Sequence, residues 1–330
     1  MAAERRELAI VGAGGLLGRE LEQVLRRQRI AAGVRLLDEA SPEPESPLAD
    51  TAPVTEPVSE AALAAAAGVF FAGSAAQTRR WSAAARRAGQ VFDLSGELLD
   101  EPGAQCLTPE QWQSRPLAAA GGRLWVVPHP VAALLAFLLE RIAALAPVDA
   151  GAAMVLQPAS EFGQAGMEEL QTQTRNLLNF QPLPTEVFGA QSAFNLHAGL
   201  PPSLRPGLAE TAALIGRHLQ RLCAHEPENA FRLPGIQVLQ APWFYGHGLS
   251  LYVETRSPLD SAALSRALQS QASPPDMLAA GNAEQALIGP VRRDALQPRG
   301  CWVFCALDRL RLAALAAARL AELALAERVQ

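Results

Sequence analysis

Three glycines at intervals of three, Gly12, Gly15 and Gly18, lie where a short apolar run gives way to a helical repeat. The run is Leu8-Ala9-Ile10-Val11, and the repeat carries apolar residues at Leu17, Leu21, Val24 and Leu25. Glycine lets backbone amides approach a ligand closely, and the free N–H groups of a helix's first turn favour a phosphate. The spacing is a variant of the G-x-G-x-x-G dinucleotide fingerprint, so Gly12, Ala13, Gly14, Gly15 and Leu16 are candidate cofactor-binding residues. A plain tight strand-to-helix turn is the alternative reading. A second apolar run, Val34-Arg35-Leu36-Leu37, ends at Asp38-Glu39. An acid at that strand end accepts hydrogen bonds from ribose hydroxyls and repels a 2′-phosphate, which favours NAD over NADP; a solvated loop acid is the other reading. Ala72-Gly73-Ser74 follows the run Val69-Phe70-Phe71 and forms a second small-residue turn against which a cofactor can lie.

The composition narrows the chemistry. The chain of 330 residues is 49% hydrophobic and 18% charged, long enough for two globular domains. It contains no lysine, so all 28 basic residues are arginine and neither a Schiff base nor a lysine phosphate clamp is available. A net charge of −5 argues against nucleic acid or an anionic membrane surface as partner. The four cysteines (Cys106, Cys223, Cys301, Cys305) show no metal-ligand spacing, and no metal site is expected; Cys301 and Cys305 flank the strand-like Trp302-Val303-Phe304 as small core residues. The charged stretch Met1–Glu7 gives no secretory leader. The most hydrophobic segment, Leu124–Leu139, is broken by Pro128-His129-Pro130 and is shorter than the roughly 18 to 20 residues that cross a bilayer. A cytoplasmic location is expected.

Short β-rich runs alternating with helical stretches predict a parallel α/β sheet in the first part of the chain. The expected strands after the first two are Val69–Ala72, Val91–Leu94 and Trp125–Val127; the expected helices span 61–67 and about 78–88. Five prolines within Ser41–Ser59 predict an extended connection. Helix 132–146 is apolar on most faces. After Pro147 longer strands (Ala152–Leu156, Ile236–Leu239, Leu249–Glu254, Cys301–Ala306) are separated by helices and Pro-rich loops, the pattern of an α+β domain. A last helix, from about Asp308 to Arg328, is expected to pack back onto the first domain. The fold class is therefore α/β: an N-terminal Rossmann-type dinucleotide-binding domain (residues 1–131 with the helix 308–330) plus an α+β catalytic or dimerisation-type domain (132–307).

The order of motifs resembles the aspartate-semialdehyde dehydrogenase family, which reduces an aspartyl phosphate with NADPH through a cysteine nucleophile. Val11-Gly12-Ala13-Gly14-Gly15-Leu16-Leu17-Gly18-Arg19-Glu20-Leu21 resembles its V-G-A-T-G-L-V-G-R-E-L. Ala72-Gly73-Ser74, Met167-Glu168-Glu169-Leu170, Ala193-Phe194-Asn195, Glu210-Thr211, Phe244-Tyr245-Gly246-His247, Val253-Glu254-Thr255 and Gly289-Pro290-Val291-Arg292-Arg293-Asp294 match further family runs in the same order. The resemblance implies that His247 is the general base and Gln157 the glutamine that positions substrate. It also implies a homodimer through the second domain's sheet.

The matching stretch for the family's N-P-N-C-[ST] is Val127-Pro128-His129-Pro130-Val131, with Pro130 in the nucleophile's place. Proline has no nucleophilic atom, and His129 is a poor substitute without a positioned partner. The family's carboxylate-binding arginine corresponds to Gln240, the arginine before its Gly-His pair to Tyr245, and a phosphate-binding arginine to about Leu99. The first glycine after its Q-A-[AV]-S run is Glu161, and the C-terminal run lacks its Lys, Gly and Asn. This pattern is similar to the Usg-type paralogues, which keep the fold but lack the cysteine. The expected function is a dinucleotide-binding homodimer with a binding or regulatory role, without the family's phosphorylating dehydrogenase activity. The alternative is an NAD(P)-dependent oxidoreductase that reduces a free aldehyde with His247 and Tyr245. The expected small ligand is a carboxylate or an aldehyde. A third reading, in which the cofactor too is lost, leaves Gly12–Gly18 as a structural turn.

Overall fold

The computed structural model describes residues 7–30, 33–39, 54–114, 123–224, 231–272, 275, 277–281 and 283–326. The chain divides into two units, Met1–His129 with Leu310–Gln330, and Pro130–Arg309. In the first, β1 (Glu7–Val11), α1 (Leu16–Gln28), β2 (Gly33–Asp38), β3 (Glu56–Pro57), α2 (Glu60–Ala65), β4 (Gly68–Phe71) and α3 (Ala75–Ala88) succeed one another. They are followed by β5 (Gln90–Asp93), β6 (Ala104–Cys106), α4 (Pro109–Ser114) and β7 (Leu124–Val126). The seven strands form one parallel sheet in the order β3-β2-β1-β4-β5-β7-β6.

Successive strand residues point to opposite faces, and both faces of this sheet are covered. Leu8, Ile10, Phe70, Phe92 and Trp125 pack on one side with Leu21, Val24 and Leu25 of α1. Ala9, Val11, Val69, Phe71 and Val91 pack on the other with Ala62 and Leu63 of α2 and Ala84 and Ala85 of α3. That explains the near-continuous apolar runs in the sequence: a strand buried on both faces has no polar side to alternate with.

The second unit begins with α5 (Pro130–Ala143) and β8 (Val148–Gln157), then a 3-10 turn (Ala159–Phe162), α6 (Gly163–Leu178), α7 (Leu208–Cys223), β9 (Gly235–Gln240) and β10 (His247–Thr255). It ends with α8 (Ser261–Leu268), α9 (Met277–Ala280), β11 (Leu287–Ile288), β12 (Arg292–Arg293) and β13 (Gly300–Leu307). Its mixed sheet runs β11-β13-β10-β8-β9, with β12 on β13. The final helix, α10 (Arg309–Ala326), returns to the first unit, where Ala314, Ala317, Ala318, Leu320, Ala321 and Ala324 join the layer of α1.

Several boundaries differ from those read in the sequence. Helix α3 starts at Ala75 rather than about Thr78, because the Ser74 hydroxyl accepts the Gln77 N–H at 3.2 Å as an N-cap. Helix α5 starts at Pro130, where proline's missing N–H costs nothing at the first helical position. Strand β8 extends to Val148–Gln157 because β10 pairs with it along most of that length. Of the expected extended connection, residues 41–53 lie outside the described residues, and Glu56–Pro57 forms an edge strand beside β2. Residues 327 and 328 of the expected last helix also lie outside them. Leu99 is a buried core residue.

The tightest backbone packing is at the start of α1. A Cβ on Gly18 would overlap the carbonyl oxygen of Gly12 and come within 2.7 Å of Ala13 Cα. Gly18→Ala is expected to cost about 2–3 kcal/mol, seen as a lower denaturant midpoint with an unchanged slope, because the obstacle is backbone rather than a movable side chain.

Candidate functional site

In the first unit β1 and β4 are neighbours, while β2 and β3 lie beyond β1 and the remaining strands beyond β4. The strand order therefore reverses between β1 and β4, and the carboxyl ends of these two strands carry Gly12–Gly15 and Ala72–Ser74. In open parallel sheets this reversal is where ligands bind. The two turns touch: a Cβ on Gly12, itself at φ +83°, would come within 2.5 Å of Gly73 Cα and N. The predicted residues Gly12, Ala13, Gly14, Gly15, Leu16, Asp38, Ala72, Gly73 and Ser74 are thus brought to one end of one sheet.

The amides of the glycine turn already have partners inside the protein. Gly12 N–H and Ala13 N–H donate to Leu37 O at 2.9 and 3.2 Å, and Gly15 N–H to Gly12 O at 3.3 Å. Gly14 N–H donates to Asp38 Oδ2 at 3.0 Å. The backbone donors that remain for an anion are those of the first turn of α1, Leu16, Leu17 and Gly18, which a helix cannot satisfy internally. The acids at the end of β2 have separate fates. Asp38 turns toward the glycine turn, whereas Glu39 accepts Trp81 Nε1–H at 2.8 Å and pairs with Arg80 at 3.2 Å.

In the second unit, topology gathers a different set at one end of the sheet. Gln157 ends β8, Gln240 ends the parallel neighbour β9 directly opposite it, and His247 opens the antiparallel β10 opposite Leu307 of β13. Asp308 and Arg309 follow at once. The 158–161 segment is laced to the loop before β10: Ala241 N–H donates to Gln157 O, Ala159 N–H to Trp243 O and Ser160 N–H to Phe244 O at 2.9, 2.9 and 3.1 Å. Gln157 Nε2–H donates to Gln240 Oε1 at 3.1 Å, and Gln240 Nε2–H to Ala241 O at 3.0 Å. Both amides are 1% exposed, so the two glutamines hold each other.

Glu161 is the residue that sequence reasoning passed over. Its Oε1 accepts Arg309 Nε–H at 2.5 Å and lies 3.7 Å from His247 Nε2, with all three side chains largely buried. The partners are 148 residues apart, and only the departure from a family glycine at 161 marked the position. His247 is 1% exposed, but Tyr245 two residues earlier is 50% exposed, so the two rings occupy different environments. Pro130 is buried at the head of α5. Burial also pushes the Cys301 and Cys305 thiols up to about 11 and about 12, so neither is a ready thiolate. The Glu169 carboxylate, within the Met167–Leu170 run, accepts the backbone N–H groups of Val187 and Phe188 and serves loop anchoring. Among the described residues no group of three or more His, Cys, Asp or Glu side chains could hold a metal, and no helix is long and apolar enough to cross a membrane.

Burial lowers the His247 pKa to about 4, opposed by the charge of Glu161 and aided by Arg309. The imidazole is neutral at pH 7. The unfolded chain, with an ordinary histidine, takes up a proton between about pH 6.5 and 4 that the folded chain refuses. Stability is therefore lost as pH falls through that window and regained as it rises. Between pH 7 and pH 4 this amounts to about 3 kcal/mol. Chemical denaturation of the native protein and a His247→Gln variant is expected to show the native protein losing that much more; parallel curves would contradict it.

Comparison with known proteins agrees with this architecture. A family model described as semialdehyde dehydrogenase, dimerisation domain, matches residues 139–312. A USG-1 protein homolog of Azotobacter vinelandii is 29% identical over 281 residues, covering 80% of this chain and 78% of that protein. The aspartate-semialdehyde dehydrogenase 2 of Vibrio cholerae is 30% identical over 181 residues, 51% of each chain. The structure of a probable aspartate-semialdehyde dehydrogenase from Pseudomonas aeruginosa superposes with a TM-score of 0.81 at 27% identity, over 97% of this chain and 98% of that one. The parallel dinucleotide-type sheet, the mixed second sheet and these matches together make the chain a member of the semialdehyde dehydrogenase family, related to both its USG-1 homologues and its aspartate-semialdehyde dehydrogenases.

Proposed function

We propose that this protein is a dinucleotide-binding homodimer of the cytoplasm that has given up the reduction of aspartyl phosphate to semialdehyde and free phosphate and keeps the fold for binding or regulation. The observation that carries this reading is Pro130 at the first position of α5, where the resemblance places the nucleophile. No acyl intermediate can form on a proline. The neighbouring groups support the same reading. Gln240, in the place of a carboxylate-binding arginine, is occupied by Gln157. Arg309 donates its Nε–H to Glu161, so its charge is already paired within the protein. His247 and Gln157 are retained at family positions, but without the nucleophile they have no acyl transfer to assist. The alternative, aldehyde reduction by His247 and Tyr245, gains no support from one ring's burial and the other's exposure.

The dinucleotide half of the proposal rests on the reversal point between β1 and β4, with the first-turn amides of α1 for the pyrophosphate and Asp38 for the ribose. Asp38 favours NAD over NADP. The dimer rests on the second sheet's uncovered face. Met154 and Trp302 are 41% and 43% exposed there, and Tyr252 lies against Trp302 with ring centroids 4.8 Å apart and the rings tilted by 46°. An apolar sheet face of this kind is suited to a second copy of the chain.

Purified protein supplied with aspartate semialdehyde, phosphate and either NAD or NADP is expected to show no turnover; measurable reduction of cofactor would overturn the reading. Pro130→Cys alone is expected to leave it inactive, because Gln240 and Glu161 remain. Met154→Glu is expected to convert a dimer to a monomer in sedimentation velocity, with circular dichroism unchanged. A native protein that sediments as a monomer would remove the dimer from the proposal.

A further inference from the structure

Gln77, on the first turn of α3, had no role in the sequence, yet it links every part of the proposed ribose site. Its Nε2–H donates to Asp38 Oδ1 at 3.2 Å. Its Oε1 occupies the space that a Cβ on Gly73 would overlap, and it would lie 3.0 Å from a Cβ on Gly12. The side chain is 8% exposed. This one amide therefore lies against both glycine turns.

The Asp38 carboxylate is held by three donors from three segments. Gly14 N–H binds Oδ2 at 3.0 Å, while Glu39 N–H at 2.8 Å and Gln77 Nε2–H at 3.2 Å bind Oδ1. A carboxylate offers about four acceptor positions, so Oδ1 is filled and one position on Oδ2 stays open beside the glycine turn. One open acceptor fits one hydroxyl donor. A phosphate there would bring a second anion against the carboxylate; of the nearby described arginines, Arg80 is paired with Glu39 and Arg19 turns its Nε–H to Gly14 O at 2.9 Å.

We infer that Gln77 is a positioning residue that sets cofactor choice by fixing the Asp38 carboxylate to accept a ribose hydroxyl, so that this chain takes NAD and rejects NADP. This rests on the dinucleotide reading above. The amide does not touch the cofactor; it holds the group that does. Loss of its hydrogen bond lets the carboxylate swing toward solvent, which weakens acceptance of the hydroxyl without creating a site for phosphate.

Calorimetric titration of the full chain with NAD and with NADP tests the inference. The native protein is expected to bind NAD at least about 30-fold more tightly than NADP. Gln77→Met, which keeps the volume but cannot donate, is expected to weaken NAD about fivefold and leave NADP unchanged. Asp38→Ser is expected to bring the two affinities together. Equal weakening of both cofactors in Gln77→Met would mean that the residue serves only the fold, and would overturn the inference. Equal affinity of the native protein for NAD and NADP would overturn it while leaving the dinucleotide reading intact. Binding of neither would remove both. Should Gln77→Met fail to fold by circular dichroism, Gln77→Asn, whose amide stops short of Asp38, is read by the same ratio.

Discussion

The first unit depends on backbone segments being allowed to touch. Gly12 meets Gly73, Gly18 meets Gly12 and Ala13, and no side chain can be inserted at these points. This contact lets α1 start immediately behind β1 and brings the turns after β1 and β4 side by side. It also explains why the glycine turn needs internal partners for its own amides. A turn pressed this closely against Leu37 and Asp38 is made rigid by them, and the first turn of α1 is left to face outward with its N–H groups. The first-turn N–H groups of α1, at Leu16, Leu17 and Gly18, begin just after the glycines at 12, 14 and 15 whose amides are bonded within the protein.

In the second unit the equivalent constraint is electrostatic. Four strand ends deliver two amides, an imidazole, a carboxylate and a guanidinium into a region that water barely reaches. Buried charge is tolerable only when paired, and Glu161 with Arg309 is such a pair; the neutral His247 beside them avoids adding a third charge. Gln157 and Gln240 complete the arrangement, the amide N–H of the first donating to the carbonyl oxygen of the second. A site of this kind differs in physical type from one in which arginines are held open for an anion.

How much of this could be read from the sequence follows from the range of the interactions. Apolar runs, glycine punctuation and helical periodicity are local, and they located β1, α1, β2, β4 and most of the second sheet. Capping and pairing are less local, which is why α3 begins earlier than periodicity suggested and β8 reaches further. Asp38 could be singled out as a candidate because its signal is an acid at a strand end. Gln77 could not, because a glutamine in an amphipathic helix looks like any solvated position until Asp38, 39 residues earlier, is folded against it. Glu161 with Arg309 lies further still out of reach of pattern. The resemblance supplied the fold; the departures from it could be counted from sequence, but only the structure shows that two of them, Gln240 and Glu161, are engaged with partners of their own.

The return of α10 to the first unit has a consequence for how the molecule comes into being. The layer formed by Leu8, Ile10, Phe70 and Phe92 is closed by Ala314, Ala317, Ala318 and Leu320, residues from the far end of the chain. The second unit is continuous, from Pro130 to Arg309. During synthesis the stretch that emerges first therefore waits, with one apolar side of its sheet only partly covered, until nearly everything else has been made. The unit encoded in the middle has all its parts earlier. Domains that fold as units thus complete here in an order opposite to that in which they begin, and the exposed interval of the first sheet is set by the time needed to translate the second.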